Sequence, residues 1–500
     1  MAILLVLPVT LSAQTFLQQG NKLVGIGAVG AAQQGGSVAI SADGSTLAVG
    51  ARADDGGLGA VWVFVRDGVG VWSQQGTKLV GSGATGNPAL GTSVALSADG
   101  NTLVAGGPDD NSGRGAAWVF VRDGAGVWSQ QGTKLVGTGS AGISSGMGTA
   151  VALSADGLVA AVGGPLDNSQ IGAVWVFGRS GSAWNQQGTK LLGANAIGTA
   201  GVGSALALNA NGTTLLVGGP ADNSQFGAAW VFTRSGSTWT AQGGKLVGND
   251  ATADPRQGSH LALSGDGNTA VVGGPNDATF AGAAWVYTRS GTTWTQQGDK
   301  LVATGAVGAA QLGAQVALAA DGNLAALSGP SDNGGAGAVW LYSRTGSVWS
   351  PLGSKLTGTG AVGAAQQGTG LALSADGTTL ALGGSADASD AGATWVFATA
   401  PVTTLERAAD YLTAARVGPN PATTELWVHL TARRAFAAEL AVVTPLGQPL
   451  VTATHWVPVG EQPPLRLALP VGYTGPAYLR CADAATGTHV WVQRVVIGGR

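Results

Sequence analysis

The chain has 500 residues, a net charge of −3 and only 10% charged residues. It holds no run of Lys and Arg, which excludes a nucleic-acid partner gripped through its phosphates. A single cysteine, Cys481, excludes an intrachain disulfide, so the fold must rest on packing and hydrogen bonds.

At the N-terminus, Met1–Ala13 (MAILLVLPVTLSA) carries an apolar run, Ile3–Leu11, that is too short to span a bilayer and is followed by small residues. It reads as a secretory signal, residues 1–13, cleaved near Ala13. No later stretch reaches the length of a membrane span, so the mature chain is expected to have none.

From about residue 15 to 400 one unit comes back seven times. Two markers set its period. One is a turn whose second residue is Asp43, Asp99, Asp156, Asn211, Asp266, Asp321 or Asp376. The other is a tryptophan in an apolar run: Trp62, Trp118, Trp175, Trp230, Trp285, Trp340 and Trp395. Both advance by 55 to 57 residues, and the 85 glycines fall in register with them, which is the signature of a repeat and not of a low-complexity chain. In the second unit the pattern predicts four strands, Ser93–Ser97, Thr102–Gly106, Ala116–Arg122 and Val127–Lys134. Asp99-Gly100 and Asp123-Gly124 close hairpins, and a longer Gly-Pro-Asp-Asp-Asn-Ser-Gly loop joins the middle pair. Four antiparallel strands per unit make a propeller blade.

Six units end in a strand like Trp128-Ser-Gln-Gln-Gly-Thr-Lys134, while the seventh stops at Trp395-Val-Phe397. The missing strand stands at the front of the mature chain, as Phe16-Leu-Gln-Gln-Gly-Asn-Lys22. The expected fold is therefore all-β: a seven-bladed β-propeller closed by the N-terminal strand, which leaves no blade with an open edge.

Within the propeller the only histidine is His260, and glutamate is absent. Its lysines fall one per blade (Lys22, Lys78, Lys134, Lys190, Lys245, Lys300, Lys355) and read as guards of the outer sheet edge. The first tryptophan of each unit reads as blade-to-blade packing. The second (Trp72, Trp128, Trp184, Trp239, Trp294, Trp349) reads as packing or as a platform for sugars. The middle loops gather round the channel and form the candidate ligand-binding ring: Asp54, Asp55, Asp109, Asp110, Asn111, Asp167, Asn168, Asp222, Asn223, Asp277, Asp332, Asn333 and Asp387, with Asp390 beside it. Carboxylates and amides so placed could grip a sugar or a cation, or simply shape the turns. No carboxylate pair, Ser/His/Asp set, metal cluster or phosphate loop stands out, so no enzyme is expected.

After Phe397 the repeat dies. A linker, 401–417, with a helical-looking piece at Leu405–Leu412, leads into 418–500, where strands and turns alternate as in a small β-sandwich.

Two resemblances add to this. The unit GxSVALSADGNTLAVGGPxDNxxxGAAWVF, with Gly107-Pro108, Gly164-Pro165, Gly219-Pro220, Gly274-Pro275 and Gly329-Pro330, resembles the FG-GAP repeat of integrin alpha subunits and of many bacterial surface proteins. In that family some blades carry an Asp-x-Asp-x-Asp-Gly calcium loop. Here the matching hairpin has one carboxylate or none, so calcium is not carried over and no cofactor is expected. Pro419-Asn420-Pro421-Ala422, Leu446-Gly447-Gln448, Leu469-Pro470-Val471-Gly472, Tyr478-Leu479-Arg480 and Arg494-Val495-Val496-Ile497 resemble the C-terminal sorting domain of the bacterial type IX secretion system, apart from an expanded loop at Tyr473–Tyr478. That implies partners in the secretion machinery through residues 418–500, and a protein secreted to, or held on, the outer surface of a Gram-negative cell. The expected function is surface binding or adhesion toward a polysaccharide or surface protein. The alternatives are a lectin-like polysaccharide binder and a structural surface-layer component.

Overall fold

The computed structural model describes residues 16–68 and 70–399 and, between 412 and 497, eight strands with Pro458. The signal, the helical-looking piece apart from Leu412, and the Pro-Asn-Pro-Ala opening lie outside the described residues. Two units divide the chain, Met1–Thr399 and Ala400–Arg500.

The first unit is seven four-stranded antiparallel sheets. In blade 2 the strands are Ser93–Leu96, Thr102–Gly107, Ala116–Arg122 and Trp128–Gln130. The outer strand is shorter than the pattern predicts. After Gln131 N–H bonds the Val119 carbonyl, the chain turns at Gly132 (φ +73°), and Gln130 Nε2 caps that turn on the Gly132 carbonyl. The Ser-Ala-Asp-Gly hairpin forms because its own polar groups replace water on the backbone. Ser97 Oγ donates to Asp99 Oδ1, the Asn101 N–H donates to the same oxygen, and Gly100 takes φ +67°.

Blade 7 has the order Phe16–Gln18, Ala393–Thr399, Thr379–Gly384, Gly370–Leu373, with Phe16 opposite Thr399 and Gln18 opposite Phe397. The N-terminal strand thus supplies the outer edge of the last blade, and the fold is a closed seven-bladed propeller. Closure also shows at the first hairpins, where seven backbone bonds run head to tail round the axis. Ala42 N–H donates to the Ala98 carbonyl (2.9 Å), then in turn Ala98 to Ala155, Ala155 to Ala210, Ala210 to Gly265, Gly265 to Ala320, Ala320 to Ala375, and Ala375 back to Ala42 (3.1 Å). No alternation pattern reports such a belt. It needs a small residue before each Asp so that neighbouring turns approach closely.

Between blades the interior is aliphatic and aromatic. Trp62, Trp118, Trp175, Trp285 and Trp395 are wholly buried, and Trp230 and Trp340 nearly so. Each burial removes roughly 150–250 Å² from water, worth up to about 4–6 kcal/mol. The indole lies against the connector entering its blade. A Cβ on Gly137 would fall 2.2 Å from Trp175 Cδ1, so that connector must be glycine to let the ring seat, and Trp175 Nε1 donates to the next carbonyl, Thr138 (2.8 Å).

In the second unit two antiparallel sheets are described. In one, Glu425–Ala432 pairs with Leu412–Gly418 and, along its other edge, with Gly460–Glu461 and Leu465–Ala468. In the other the order is Pro449–Val457, Phe436–Val443, Gly475–Asp483, Thr488–Ile497. Leu412–Gly418, in the stretch read as linker, is thus an edge strand. Val428, Leu440, Val442 and Leu467 are buried. Among the described residues no helix is long and apolar enough to cross a membrane.

Candidate functional site: the loop face and the channel mouth

The middle loops lie on the face opposite the alanine belt, as the sequence suggests, but they divide the candidate residues into two kinds. Asp54, Asp110, Asp167, Asp222, Asp277, Asp332 and Asp387 are buried, each exposed by 1% or less. Each is a clamp. Asp110 Oδ1 accepts the Thr85 N–H of the connector entering blade 2 (2.8 Å), and its Oδ2 takes Lys134 Nζ of the connector leaving it (2.5 Å). The same pair recurs as Lys78–Asp54, Lys190–Asp167, Lys245–Asp222, Lys300–Asp277, Lys355–Asp332 and Lys22–Asp387.

The lysines therefore do not serve as edge guards. Each ammonium is held by a buried carboxylate, and five also sit 5.7–6.0 Å from the centre of their blade's first indole. A signal for the clamp was present in the sequence. Asp and Lys recur with the same period and a fixed offset of 23 or 24 residues, with blade 7 finding its lysine at the N-terminus.

The remaining candidates face solvent. Asp55, Asp109, Asn111, Asn168, Asn223, Asn333 and Asp390 are exposed. The residue after each clamp is left-handed (Asp55 φ 52°, Asn111 φ 51°, Asn168 φ 48°, Asn223 φ 51°, Asn333 φ 51°), a conformation that Asn and Asp tolerate best. Blades 5 and 7 place Ala278 and Ala388 there. The exposed tips are thus a ring of short polar side chains with gaps.

Inside this ring the first strands converge on the channel mouth, a cavity of about 280 Å³ lined by hydroxyls (Ser37, Thr92, Ser93, Thr149, Ser204, Ser259) together with His260 and Gln315. Sequence reasoning noted His260 but gave it no role and passed over Gln315. What marks them is that equivalent strand positions in other blades hold only Ser37, Ser93, Ala150, Ala205 and Gly370. His260 Nδ1 accepts the Val316 N–H (3.1 Å), which places its proton on Nε2. Burial pushes its pKa down to about 4. A little of the ring touches the channel, but densely packed protein surrounds it, and that surrounding density governs how hard it is to charge.

The second tryptophans are tied into the scaffold. Trp128 Nε1 donates to Gln75 of the preceding blade (2.9 Å), and Trp72, Trp184, Trp239, Trp294 and Trp349 repeat the bond to Gln19, Gln131, Gln187, Gln242 and Gln297. Five of them carry an arginine over the ring at 5.3–5.8 Å. A sugar platform needs a free ring face and a free polar handle; five of these rings have one face under an arginine, and all six have the indole N–H engaged.

The first hairpins offer a cation one carboxylate each, or none in blade 4, where Asn211 stands, and the carboxylate serves its own turn. Burial would raise the Asp43 pKa, but hydrogen bonds from Ser41 and Ser45 outweigh it and hold it below the ordinary value. Among the described residues no group of three or more His, Cys, Asp or Glu gathers as a metal site would require.

No protein-family model matches this chain, and no curated protein matches it. Solved structures similar to it include hydrazine synthase of Kuenenia stuttgartiensis (12% identity, 74% of this chain and 96% of that one, TM-score 0.44). The periplasmic gluconolactonase PpgL of Pseudomonas aeruginosa matches at 15% identity over 82% and 95%, TM-score 0.43. PorZ of Porphyromonas gingivalis, described as a surface component of the type-IX secretion system, matches at 12% identity over 92% of this chain and 59% of its own, TM-score 0.43. The class of protein is set by the strand pairing itself: a seven-bladed β-propeller.

Proposed function

We propose that this chain is an exported surface propeller that binds without catalysis, of FG-GAP type, delivered by residues 418–500 acting as a type IX sorting domain. The observation that carries the binding reading is the fate of the repeated charges. All seven buried carboxylates are held in lysine clamps, so the repeated Asp serves the scaffold and not a ligand. What remains toward solvent is a ring of amide and carboxylate tips round a hydroxyl-lined mouth. Such a ring suits a repeated ligand such as a polysaccharide, where weak equivalent contacts add as avidity. The export reading rests on the N-terminal apolar run and on the sorting-domain motifs of the sequence.

The test is fourfold replacement of Asn111, Asn168, Asn223 and Asn333 by alanine, which blades 5 and 7 already tolerate at these backbone angles. The variant should fold normally and lose polysaccharide binding. In cells, deleting residues 418–500 should leave the protein inside the outer membrane. Intact binding in the first case, or unchanged surface exposure in the second, contradicts the corresponding part.

A second reading, a self-associating surface-layer component, is favoured by one feature. Val29, Ile197, Val307 and Val362 occupy equivalent connector tips on this face and are about half exposed. Sedimentation of the pure protein would show concentration-dependent assembly if this reading holds.

A further inference from the structure

The repeat fails in a coordinated way at one place, the groove between the third and outer strands of blades 3 and 4 on the alanine-belt face. In blades 5 and 6 the arginine near the end of the third strand is fully engaged. Arg289 bonds Asn268 (3.0 Å), Thr214 (3.3 Å) and Gln242 (3.2 Å), and Arg344 does the same with Asn323, Thr269 and Gln297. A carboxylate in their own hairpin, Asp266 or Asp321, adds attraction.

At Arg234 three of these partners are replaced and the fourth, the glutamine, makes no bond to the guanidinium. The asparagine position is Thr213, the threonine position on the neighbouring blade is Val159, and the hairpin carboxylate is Asn211. Gln187 still accepts the Trp239 Nε1–H (3.2 Å) but makes no bond to Arg234, and its amide nitrogen lies in space that is free only because residue 178 is glycine, where blades 1, 2, 4 and 5 have Val65, Val121, Thr233 and Thr288. A Cβ on Gly178 would stand 2.1 Å from Gln187 Nε2. Among the described residues Arg234 keeps only the Trp239 ring, 5.8 Å away, and no side-chain hydrogen bond reaches its guanidinium. Arg179 departs from the pattern in part. It bonds the Gly181 carbonyl (3.0 Å) and keeps the threonine of the neighbouring blade, Thr102 (3.4 Å), but among the described third-strand arginines it is the one not seated over its blade's outer tryptophan.

These changes open a groove of about 490 Å³. Its charged lining is Arg179, Arg234 and Asp156, two guanidiniums against one carboxylate, a surplus of one positive charge. Asn185, Gln186 and Ser237 supply donors and acceptors, and Leu158 and Val159 an apolar wall. A planar guanidinium with unused donors matches a carboxylate. Amides and hydroxyls match ring hydroxyls, and an apolar wall matches the C–H face of a sugar. The volume lies within the range of small-ligand sites.

We propose that this groove binds an acidic sugar, the carboxylate of a uronic acid residue engaging Arg234. The proposal rests on the reading of the chain as a polysaccharide binder and gives that reading a ligand class and a second site, away from the loop face. A single charge answers the single surplus, which sets a carboxylate apart from a dianionic phosphate.

The test is calorimetric titration of the full chain with oligogalacturonate, neutral galactan oligomers and galactose 6-phosphate. Wild type should bind the uronate saturably and prefer it to both others. Arg234→Gln should weaken it at least about tenfold, the equivalent of one charge-assisted contact. Gly178→Val, which refills the groove as blades 1 and 2 do, should abolish it. Val159→Thr, which restores the repeat's own partner to Arg234, should weaken it severalfold while leaving the charge unchanged. An unfolding midpoint equal to wild type shows that each variant is folded. Uronate binding indifferent to all three variants, or phosphate bound as well as carboxylate, overturns the proposal. Absence of uronate binding with a neutral glycan still bound sinks the groove and spares the general reading. Absence of any glycan binding sinks both.

Discussion

Replacing Asp387 by Asn tests the clamp where it matters most, because the pair Lys22–Asp387 joins the first connector to the last blade. Asp387 is 1% exposed and Lys22 is 21% exposed. Removing one member of a buried pair commonly costs about 3–5 kcal/mol. Here the ammonium retains access to water and lies 6.0 Å from the Trp395 ring centre, which softens the loss. Asparagine also keeps an oxygen for the Val362 N–H, which Asp387 Oδ1 holds at 2.7 Å. The expected loss is therefore about 2–3 kcal/mol for Asn and about 1 kcal/mol more for Ala, which orphans that N–H. The assay is guanidinium unfolding of the full chain followed by tryptophan emission, in a double-mutant cycle with Lys22→Met. A coupling of about 1–2 kcal/mol is expected between the two sites. A loss under about 0.5 kcal/mol, or additive single effects, would refute the view that these carboxylates are structural.

Three further outcomes follow from the same geometry. A chain beginning at Val24 lacks the outer strand of blade 7 and Lys22. It should unfold at markedly lower guanidinium concentration and form oligomers by exposing the edge Ala393–Thr399, visible by light scattering. Trp175→Ala empties a fully buried site against Gly137 and should cost about 3–5 kcal/mol in the same unfolding assay. His260→Gln should flatten the acid side of the stability profile. The unfolded imidazole gains its proton near pH 6.5 and the folded one only near 4, so stability is whole above 6.5 and drains by up to about 3 kcal/mol as pH falls between them. Unfolding midpoints at pH 7 and pH 5 measure this. Asp43, Asp99, Asp266 and Asp376 also sit below their ordinary values. Burial would raise each, but hydrogen bonds from a hairpin serine and the residue after the Gly outweigh it. Their contribution is lost only on acidification below about pH 4, outside the histidine window.

The propeller was legible because its signals are local and repeated. The Asp-Gly hairpins, the Trp period and the misplaced strand at Phe16–Gln18 each need only a few neighbouring residues to read. The place of the middle loops was legible and the fate of their side chains was not. The middle loops do ring the channel face, but whether an aspartate is buried or exposed depends on which partner the connector brings to it, so Asp110 and Asn111, adjacent in sequence, have opposite fates. The alanine belt and the His260 cavity depend on seven first strands meeting at one axis, a long-range fact that no window along the chain contains. The groove at Arg234 is written in the sequence as Gly178, Val159, Asn211 and Thr213. Those four changes come from two blades, and only the fold shows that they surround a single guanidinium.

The most direct measurement of the central claim is a binding and turnover screen of the full chain on a polysaccharide panel, run with calcium and with chelator. The account predicts saturable binding to at least one polysaccharide, equal in both conditions, with no products released. Release of products, or no binding to any member of the panel, would contradict it.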